Sequence, residues 1–327
     1  MLSSQTVTTP LRGVAGLMVV LCAAWAQPPQ PQQYRSKITI YDLAAHTSST
    51  LYKTDQVIEA PNWSRDGKWL LVNTAGSLYR LPVTGEAKLE KLELGPGGYR
   101  CNNDHDHSKE GAMLAFSASS PNSRGSQVWL AHADHGMPSG PARLMTPASP
   151  SYFHGWSPDG RFLAFVGQRN GHFELFRVPA SGGDEQRLTS AGGYDDGPEY
   201  TPDGRWIYFN SNRNGGWDIW RMPADGAGEK DARAERVTSD EWEDWFPHIS
   251  PDGKWMLVFS FPHGTENHNG KMDGVILRVA KLPGAKLETP KFETLATFFG
   301  GQGTVNVNSW SPDSRKFAYV VYEPIAH

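Results

Sequence analysis

Apolar and polar residues alternate over short runs of the chain, as in residues 161–166. A period of two is typical of a β-strand with one buried face. This run is followed by an Asn-Gly turn at residues 169–171, a third alternating run at 174–178, and a fourth that ends at Thr189. The same order recurs from residue 205. The pattern predicts four-stranded antiparallel meanders joined by tight turns.

A short phrase close to Ser-Pro-Asp-Gly, preceded by an aromatic or other large residue, occurs six times. Its hydroxyl residues are Ser64, Ser108, Ser157, Thr201, Ser250 and Ser311. They are separated by 44, 49, 44, 49 and 61 residues, and such a period indicates stacked supersecondary units. Radial stacking buries both faces of each four-stranded sheet. The sequence therefore predicts an all-β fold, a six-bladed β-propeller in one domain over residues 34–327.

The two ends of this predicted domain complement each other. Residues 37–41 and 50–52 have the pattern of third and fourth strands without a preceding phrase. Around the last phrase, only the patterns of first and second strands are present, at residues 305–309 and 316–321. We expect the N-terminal strands to pair with the C-terminal strands in the last blade. Such pairing closes the ring and removes exposed sheet edges.

The N-terminus has the features of an export signal. Arg12 is the only charge before an apolar run at residues 14–26, which ends in a small-x-small cleavage pattern. We predict a signal peptide over residues 1–26 and a Pro/Gln linker over 27–33, and hence a periplasmic or secreted protein. A membrane anchor is the alternative, but about 20 apolar residues are needed to span a bilayer. A second alternative, lipidation of Cys22, is disfavoured by the preceding leucine.

Charge and cysteine content narrow the class of protein further. The chain has 31 Lys and Arg against 35 Asp and Glu, so we expect no nucleic-acid partner. Removal of the signal peptide leaves Cys101 as the single cysteine, so packing must stabilise the domain in place of a disulfide. We expect a monomer with no membrane span after cleavage.

Candidate functional residues come from the position of each repeat relative to the propeller axis. The first strand of each blade lies next to this axis, so the residues just before each phrase line the channel and its mouth. Three histidines fall there, namely His105, His154 and His248. The other candidates are Glu59, Asn62, Asn103, Asp104, Tyr152, Tyr194, Asp195, Asp196, Glu199, Trp245, Gln302 and Asn306.

Two chemistries suit this set. Three imidazoles can hold a divalent metal such as Mn, Ca or Zn with open positions for a substrate. Alternatively, His105, His154 or His248 acts as a general base, oriented by Glu199, Glu59 or Asp196. The remaining side chains are expected to bind the ligand, and the flat faces of Tyr152, Tyr194 and Trp245 suit a sugar ring. The predicted ligand is small, polar and derived from carbohydrate.

Structural roles compete with these assignments. In this alternative, each histidine forms a hydrogen bond to the next blade, and Asp195 and Asp196 only precede a turn. We interpret His107 as structural. Residues 263–274 are interpreted as a surface lid or hairpin extension, because the acidic residues of this segment lack the spacing of a calcium loop. The rival function is a non-catalytic scaffold that binds a protein of the cell envelope, since fold does not determine function.

The repeats resemble a known family. Residues 156–160 and 200–204, each followed by an apolar strand and an Asn-Gly turn, are similar to the repeats of TolB-type six-bladed propellers. Residues 152–160, 195–204, 245–253 and 300–304 resemble stand-alone exported members of that group. The resemblance covers nearly the whole mature chain and implies the fold.

A more distant resemblance is to oligogalacturonate lyases. Proteins of that family hold a divalent metal through histidines and a glutamine, and they cleave uronides by β-elimination. Here Gln302 is followed by Val305 and Val307, so the family's ligands are not carried over one by one. The chain has no Gly-x-Ser-x-Gly elbow, phosphate-binding loop or Cys-x-x-Cys pair. These absences argue against a prolyl peptidase, an NTPase and a redox enzyme.

Overall fold

The computed structural model describes residues 33–123, 125–266 and 268–325, and the predicted signal peptide lies outside them. These residues form the six-bladed β-propeller that the repeats predict. Five blades are four-stranded antiparallel sheets, numbered here in chain order. Blade 1 contains β3 (Ile58–Trp63), β4 (Trp69–Thr74), β5 (Ser77–Pro82) and β6 (Glu90–Lys91). Blade 2 contains β7 (Arg100–His107), β8 (Met113–Ser119), β9 (Gln127–Asp134) and β10 (Met137–Leu144).

The next three blades repeat this plan. Blade 3 contains β11 (Ser151–Trp156), β12 (Phe162–Arg169), β13 (His172–Pro179) and β14 (Gln186–Arg187). Blade 4 contains β15 (Asp195–Tyr200), β16 (Trp206–Ser211), β17 (Asp218–Pro223) and β18 (Glu235–Arg236), with a 3₁₀ turn at Glu229–Asp231. Blade 5 contains β19 (Glu243–Ile249), β20 (Trp255–Phe261), β21 (Lys271–Lys281) and β22 (Glu293–Gly301).

Blade 6 closes the ring with strands from both ends of the domain. It contains β1 (Tyr34–Asp42), β2 (Thr47–Thr54) and β23 (Lys316–Pro324) in the order β2-β1-β23. The β1–β23 ladder runs without interruption from the Tyr34–Pro324 pair to the Asp42–Lys316 pair. The predicted pairing of the two termini is therefore confirmed.

The predicted first strand of blade 6 is wrong. Residues 305–309, which we call the axial segment, form no regular strand; they follow a 3₁₀ turn at Gln302–Thr304, and only Trp310 forms a bridge, to Phe317. The cause is that the axial segment bonds to other blades through its side chains. Asn306 donates to Asp104 of blade 2, and Asn308 donates to Glu199 of blade 4. Blade 6 consequently has three strands.

The repeated phrase acts as a turn between the first two strands of a blade. In blade 3, Ser157 Oγ donates to Asp159 at 2.6 Å and accepts from the Phe162 amide at 2.9 Å. Gly160 has a φ of 70°, a conformation that glycine adopts without strain. The same bonds recur around Ser64, Thr201, Ser250 and Ser311. The phrase is thus a structural device.

A β-bulge interrupts the first strand of each four-stranded blade just before the turn. The register shifts lie between Glu59 and Asn62, Cys101 and His105, Phe153 and Gly155, Asp196 and Glu199, and Trp245 and His248. A bulge breaks the alternation of inward and outward side chains. Neighbouring residues at these positions therefore face different partners around the axis.

The chain enters the axial segment through closely packed glycines. A Cβ added to Gly301 would overlap the carbonyl oxygen of Gly270, and one added to Gly303 would lie 2.6 Å from Glu59. These contacts explain the predicted motif at residues 300–304 as a packing requirement. No helix in the described ranges is long and apolar enough to cross a membrane.

Candidate functional site

The three predicted histidines do not share one site, and His105 is the most deeply buried of them. Its Nε2 lies 3.0 Å from the carbonyl oxygen of Ala60 in blade 1, and the side chain is fully buried. Burial lowers the pKa of His105 to about 4. A neutral ring that donates to the neighbouring blade has a structural role.

His248 and Glu199 form a junction between blades 4, 5 and 6. His248 Nδ1 lies 2.7 Å from Glu199 Oε2, and its Nε2 lies 3.1 Å from the carbonyl oxygen of Val305. The other oxygen of Glu199 accepts from the Ile249 amide at 2.7 Å and from Asn308 at 2.5 Å. Both ring nitrogens and both carboxylate oxygens are thus engaged within the protein. This arrangement leaves the pair no atom with which to act as an acid or base on a ligand.

His154 has a different environment, because its ring faces a carboxylate of the next blade. Its Nε2 lies 3.0 Å from Asp196 Oδ1, which also accepts from the Gly197 amide. Burial of the ring disfavours its charged form, but the hydrogen bond to Asp196 and the nearby carboxylates of Asp104 and Glu199 outweigh burial and raise the pKa of His154. An imidazole oriented by a carboxylate in this way is suited to accept a proton.

Asp104 lies beside this pair and is incompletely satisfied. Its Oδ1 accepts from Asn306 Nδ2 at 2.5 Å. Asp104 Oδ2 and Asn306 Oδ1 have no hydrogen-bond partner among the described residues, although both side chains are buried. Burial, reinforced by the charge of Asp196, raises the pKa of Asp104 to about 6. Two buried acceptors without a donor are costly in a folded protein.

Two partly exposed tyrosines complete the group. Burial together with the charges of Asp104 and Asp196 raises the pKa of Tyr152, and the same groups raise that of Tyr194. We call Asp104, Tyr152, His154, Tyr194 and Asp196 the mouth cluster. Blades 2, 3 and 4 contribute these five side chains, which combine acceptor oxygens, one imidazole and two aromatic faces.

His268 is a residue of this region that sequence reasoning missed. The ring of Trp245, which was expected to face a ligand, is 1% exposed, and His268 is stacked on it with ring centroids 3.9 Å apart. His268 also packs edge-on against Tyr194 at 6.0 Å. Burial lowers the pKa of His268, and the charge of Asp196 opposes this shift. The loop that contains His268 thus packs against Tyr194 of the mouth cluster.

Other predicted residues are engaged elsewhere. One guanidinium nitrogen of Arg213 lies 2.8 and 2.9 Å from the two carboxylate oxygens of Asp195. Glu59 Oε1 lies 3.4 Å from Lys271 Nζ. Asn62 donates to the carbonyl oxygen of Asn308 at 2.6 Å. The backbone oxygen of Asn103 accepts from Asn306. Gln302 begins the 3₁₀ turn and is partly exposed.

The expected metal site gains no support from this geometry. No group of three or more His, Cys, Asp or Glu side chains within the described ranges is arranged to hold a metal ion. The physical reason is that His105 Nε2 and both ring nitrogens of His248 are bonded to backbone carbonyl oxygens and to Glu199. Asp196 already accepts a hydrogen bond from His154.

Comparison with known proteins agrees with the fold and the repeats. The family model for the TolB β-propeller domain matches residues 107–279, more than half of the chain. The uncharacterized protein Atu1656 of Agrobacterium fabrum is 41% identical over 291 residues, which cover 89% of this chain and 94% of that protein. The chain belongs to the TolB β-propeller family.

Solved structures are similar to this TolB-type propeller to different degrees. A protein of Agrobacterium tumefaciens assigned as a TolB has a TM-score of 0.81 at 40% identity, covering 89% of this chain and 99% of that one. An oligogalacturonate lyase in complex with manganese has a TM-score of 0.51 at 14% identity, covering 90% and 97% of the two chains. At that identity the likeness to the lyase extends to the fold alone.

The TolB-type propeller also has an open groove between blades 1 and 2, on the face that carries the repeated turns. It encloses about 340 Å³ and is lined by Arg65, Trp69, Arg80 and His135, among others. Its cations are already paired, Arg65 with Asp106 and Arg80 with Glu90.

The neutral state of His105 makes this TolB-type propeller sensitive to acid. Because the pKa of His105 is about 4 when folded and 6.5 ordinarily, the unfolded chain binds more protons between these values. We expect the residue to lower the free energy of unfolding by about 2 kcal/mol between pH 7 and pH 5. The variant His105→Asn keeps a donor for Ala60 and does not titrate.

Urea unfolding of both proteins across this pH range tests the expectation. Buried carboxyls with a raised pKa, namely Asp104, Asp195, Asp218 and Asp244, act in the opposite direction but are present in both proteins. The loss of stability toward pH 5 should be smaller in His105→Asn. Parallel pH profiles for the two proteins would refute the assignment.

Proposed function

We propose that this TolB-type propeller binds a small polyhydroxylated ligand, derived from carbohydrate, at the mouth cluster. The observation that carries the proposal is the pair of buried acceptors, Asp104 Oδ2 and Asn306 Oδ1, with no donor in the described structure. Hydroxyl groups of a sugar supply such donors. The partly exposed ring of Tyr152 offers a flat surface beside them, whereas the ring of Tyr194 is stacked on Phe173.

The same site has a group for proton transfer. With Nε2 of His154 hydrogen-bonded to Asp196, Nδ1 is the position from which this ring would act on a ligand. We propose His154 as the general base, and Asp196 as the residue that positions it, in any lyase or hydrolase reaction of the bound sugar. The N-terminal apolar run supports action outside the cytoplasm, in the periplasm or after secretion.

Binding is tested by calorimetric titration of the purified protein with a panel of neutral hexoses and disaccharides. Tyr152→Ala removes one aromatic face and is expected to weaken binding about tenfold, or 1.4 kcal/mol. Tyr52→Ala is the matched control because Tyr52 is also partly buried but lies on β2, the outer strand of blade 6.

Equal weakening by both tyrosine variants, or no saturable binding of any sugar, would refute the proposal. Product formation is followed by NMR in the same samples. Turnover that is lost in His154→Gln while ligand affinity is retained would support the proton-transfer role.

The groove between blades 1 and 2 favours a second candidate function, a scaffold for an envelope protein. Its exposed Arg65 and half-buried Trp69 are residue types that are enriched at protein interfaces. Under this alternative, Trp69→Ala abolishes partner capture, whereas the variants of the mouth cluster leave it unchanged.

A further inference from the structure

The mouth cluster has an excess of negative charge that its own residues do not neutralise. Asp104 and Asp196 are its two carboxylates, and both act on His154, as Glu199 does from outside the cluster. No lysine or arginine in the described part of the chain forms an ion pair with Asp104 or Asp196. Arg213 is bound to Asp195 and Lys271 to Glu59. The imidazole of His154 is the basic group paired with Asp196.

We propose that the ligand carries a primary ammonium group, as amino sugars do, and that Asp104 is its counter-ion. This inference rests on the proposed function, since it concerns the same site. Its first basis is the unpartnered Asp104 Oδ2, on a side chain that is 3% exposed. A carboxylate in that position needs either a proton or a cationic donor.

The second basis is the number of donors that the site requires. Asp104 Oδ2 and Asn306 Oδ1 are both without a donor in the described structure, and they belong to side chains already joined at 2.5 Å through their other atoms. A hydroxyl group donates one hydrogen bond, whereas an ammonium group donates three. One ammonium group therefore has enough donors for both acceptors, which would otherwise need two hydroxyls.

The third basis is aromatic. Tyr152 is within electrostatic range of Asp104 and Asp196, and its ring is partly exposed. A cation near the face of a tyrosine is attracted to the negative centre of the ring. Carboxylates combined with such faces favour a cationic ligand over a neutral one.

The same charges disfavour an acidic sugar. A uronate brings a carboxylate toward Asp104 and Asp196, and like charges at short range cost free energy in a site of low polarity. The described cations of neighbouring elements, Arg213 and Lys271, are already engaged with Asp195 and Glu59. The specificity inferred here is thus opposite to that of a uronide-cleaving enzyme.

Titrations of the full domain with matched ligands test the inference. Glucosamine and galactosamine are compared with their N-acetyl forms, the parent hexoses and the uronates, at neutral pH and constant low salt. The amines are expected to bind at least tenfold more tightly than the N-acetyl forms, and the uronates most weakly. Asp104→Asn should reduce the ratio of amine to N-acetyl affinity to about one. Asp55→Asn, which removes an exposed carboxylate on blade 6, should retain that ratio.

The outcomes separate this inference from the proposed function. Equal affinity for amines, N-acetyl forms and hexoses would overturn the ammonium assignment and leave sugar binding intact. Preferential binding of uronates would also overturn it. If none of these compounds binds, both proposals fail. Loss of the amine preference at high salt would support a charge-based origin.

Discussion

Replacing Glu199 by alanine is expected to lower the free energy of unfolding by about 4 kcal/mol. Glu199 accepts from the Ile249 amide at 2.7 Å, from Asn308 at 2.5 Å and shares a contact of 2.7 Å with His248. Its removal leaves a buried amide and an imidazole nitrogen without their acceptor, and it takes away one of the two acceptors of the Asn308 carboxamide. Because these donors belong to blades 5 and 6 and Glu199 belongs to blade 4, the variant weakens three blades together. Urea unfolding monitored by tryptophan fluorescence measures the change.

Two controls separate the junction from a general effect of losing a carboxylate. Glu199→Gln keeps one acceptor oxygen and should lose less stability than alanine. Glu174→Ala removes a buried carboxylate whose partner, Arg187, lies in the same blade and is 47% exposed. Arg187 is able to turn toward water, so a loss of about 1 kcal/mol is expected. If Glu199→Ala lowers the free energy of unfolding no more than Glu174→Ala does, the junction does not hold the blades together.

The second large effect is expected from Gly301→Ala, which should lower the free energy of unfolding by about 3 kcal/mol. The added methyl group would overlap the carbonyl oxygen of Gly270, and backbone atoms cannot move aside as a flexible side chain can. Gly301 has an extended backbone with a φ of −170°, so the cost is one of space and not of conformation. Thermal and urea unfolding both report it.

Gly284→Ala is the matched control for this change. It makes the same substitution at a position where an added Cβ meets nothing within 4 Å. We expect its stability to remain within about 0.5 kcal/mol of the wild type. Equal stability of the two variants would show that the chain near Gly270 moves aside at little cost.

The fold was predictable because its evidence is local and repeated. The phrase around Ser157 needs only its own residues to form a turn, and the same bonds recur at Ser311. The axial segment was not predictable by the same reasoning. Its alternating pattern resembles a strand, yet Asn306 and Asn308 bond to residues about 200 and 110 positions away. Those contacts, and not local propensity, decide its conformation.

The candidate site was predictable only in part, because residues of the same type have different partners. His105, His154 and His248 occupy similar places before their turns. His105 faces a carbonyl oxygen, His154 faces a carboxylate, and His248 faces one of each. These partners come from other blades, so no local signal distinguishes the three rings. His268 was missed because its loop is joined to the mouth by packing on Trp245.

The seam between β1 and β23 has a consequence for the order of assembly. The chain is synthesised from its N-terminus, yet β1 and β2 belong to the blade that is completed last. A two-stranded hairpin is marginally stable in water, so these strands have no sheet to join until residues 316–324 exist. Blades 1 to 5 can form in the order of synthesis, whereas the ring stays open until residues 316–324 have been added. During that interval the protein is an arc whose end blades expose apolar faces that blade 6 later covers, the stage at which it is most prone to associate with other chains.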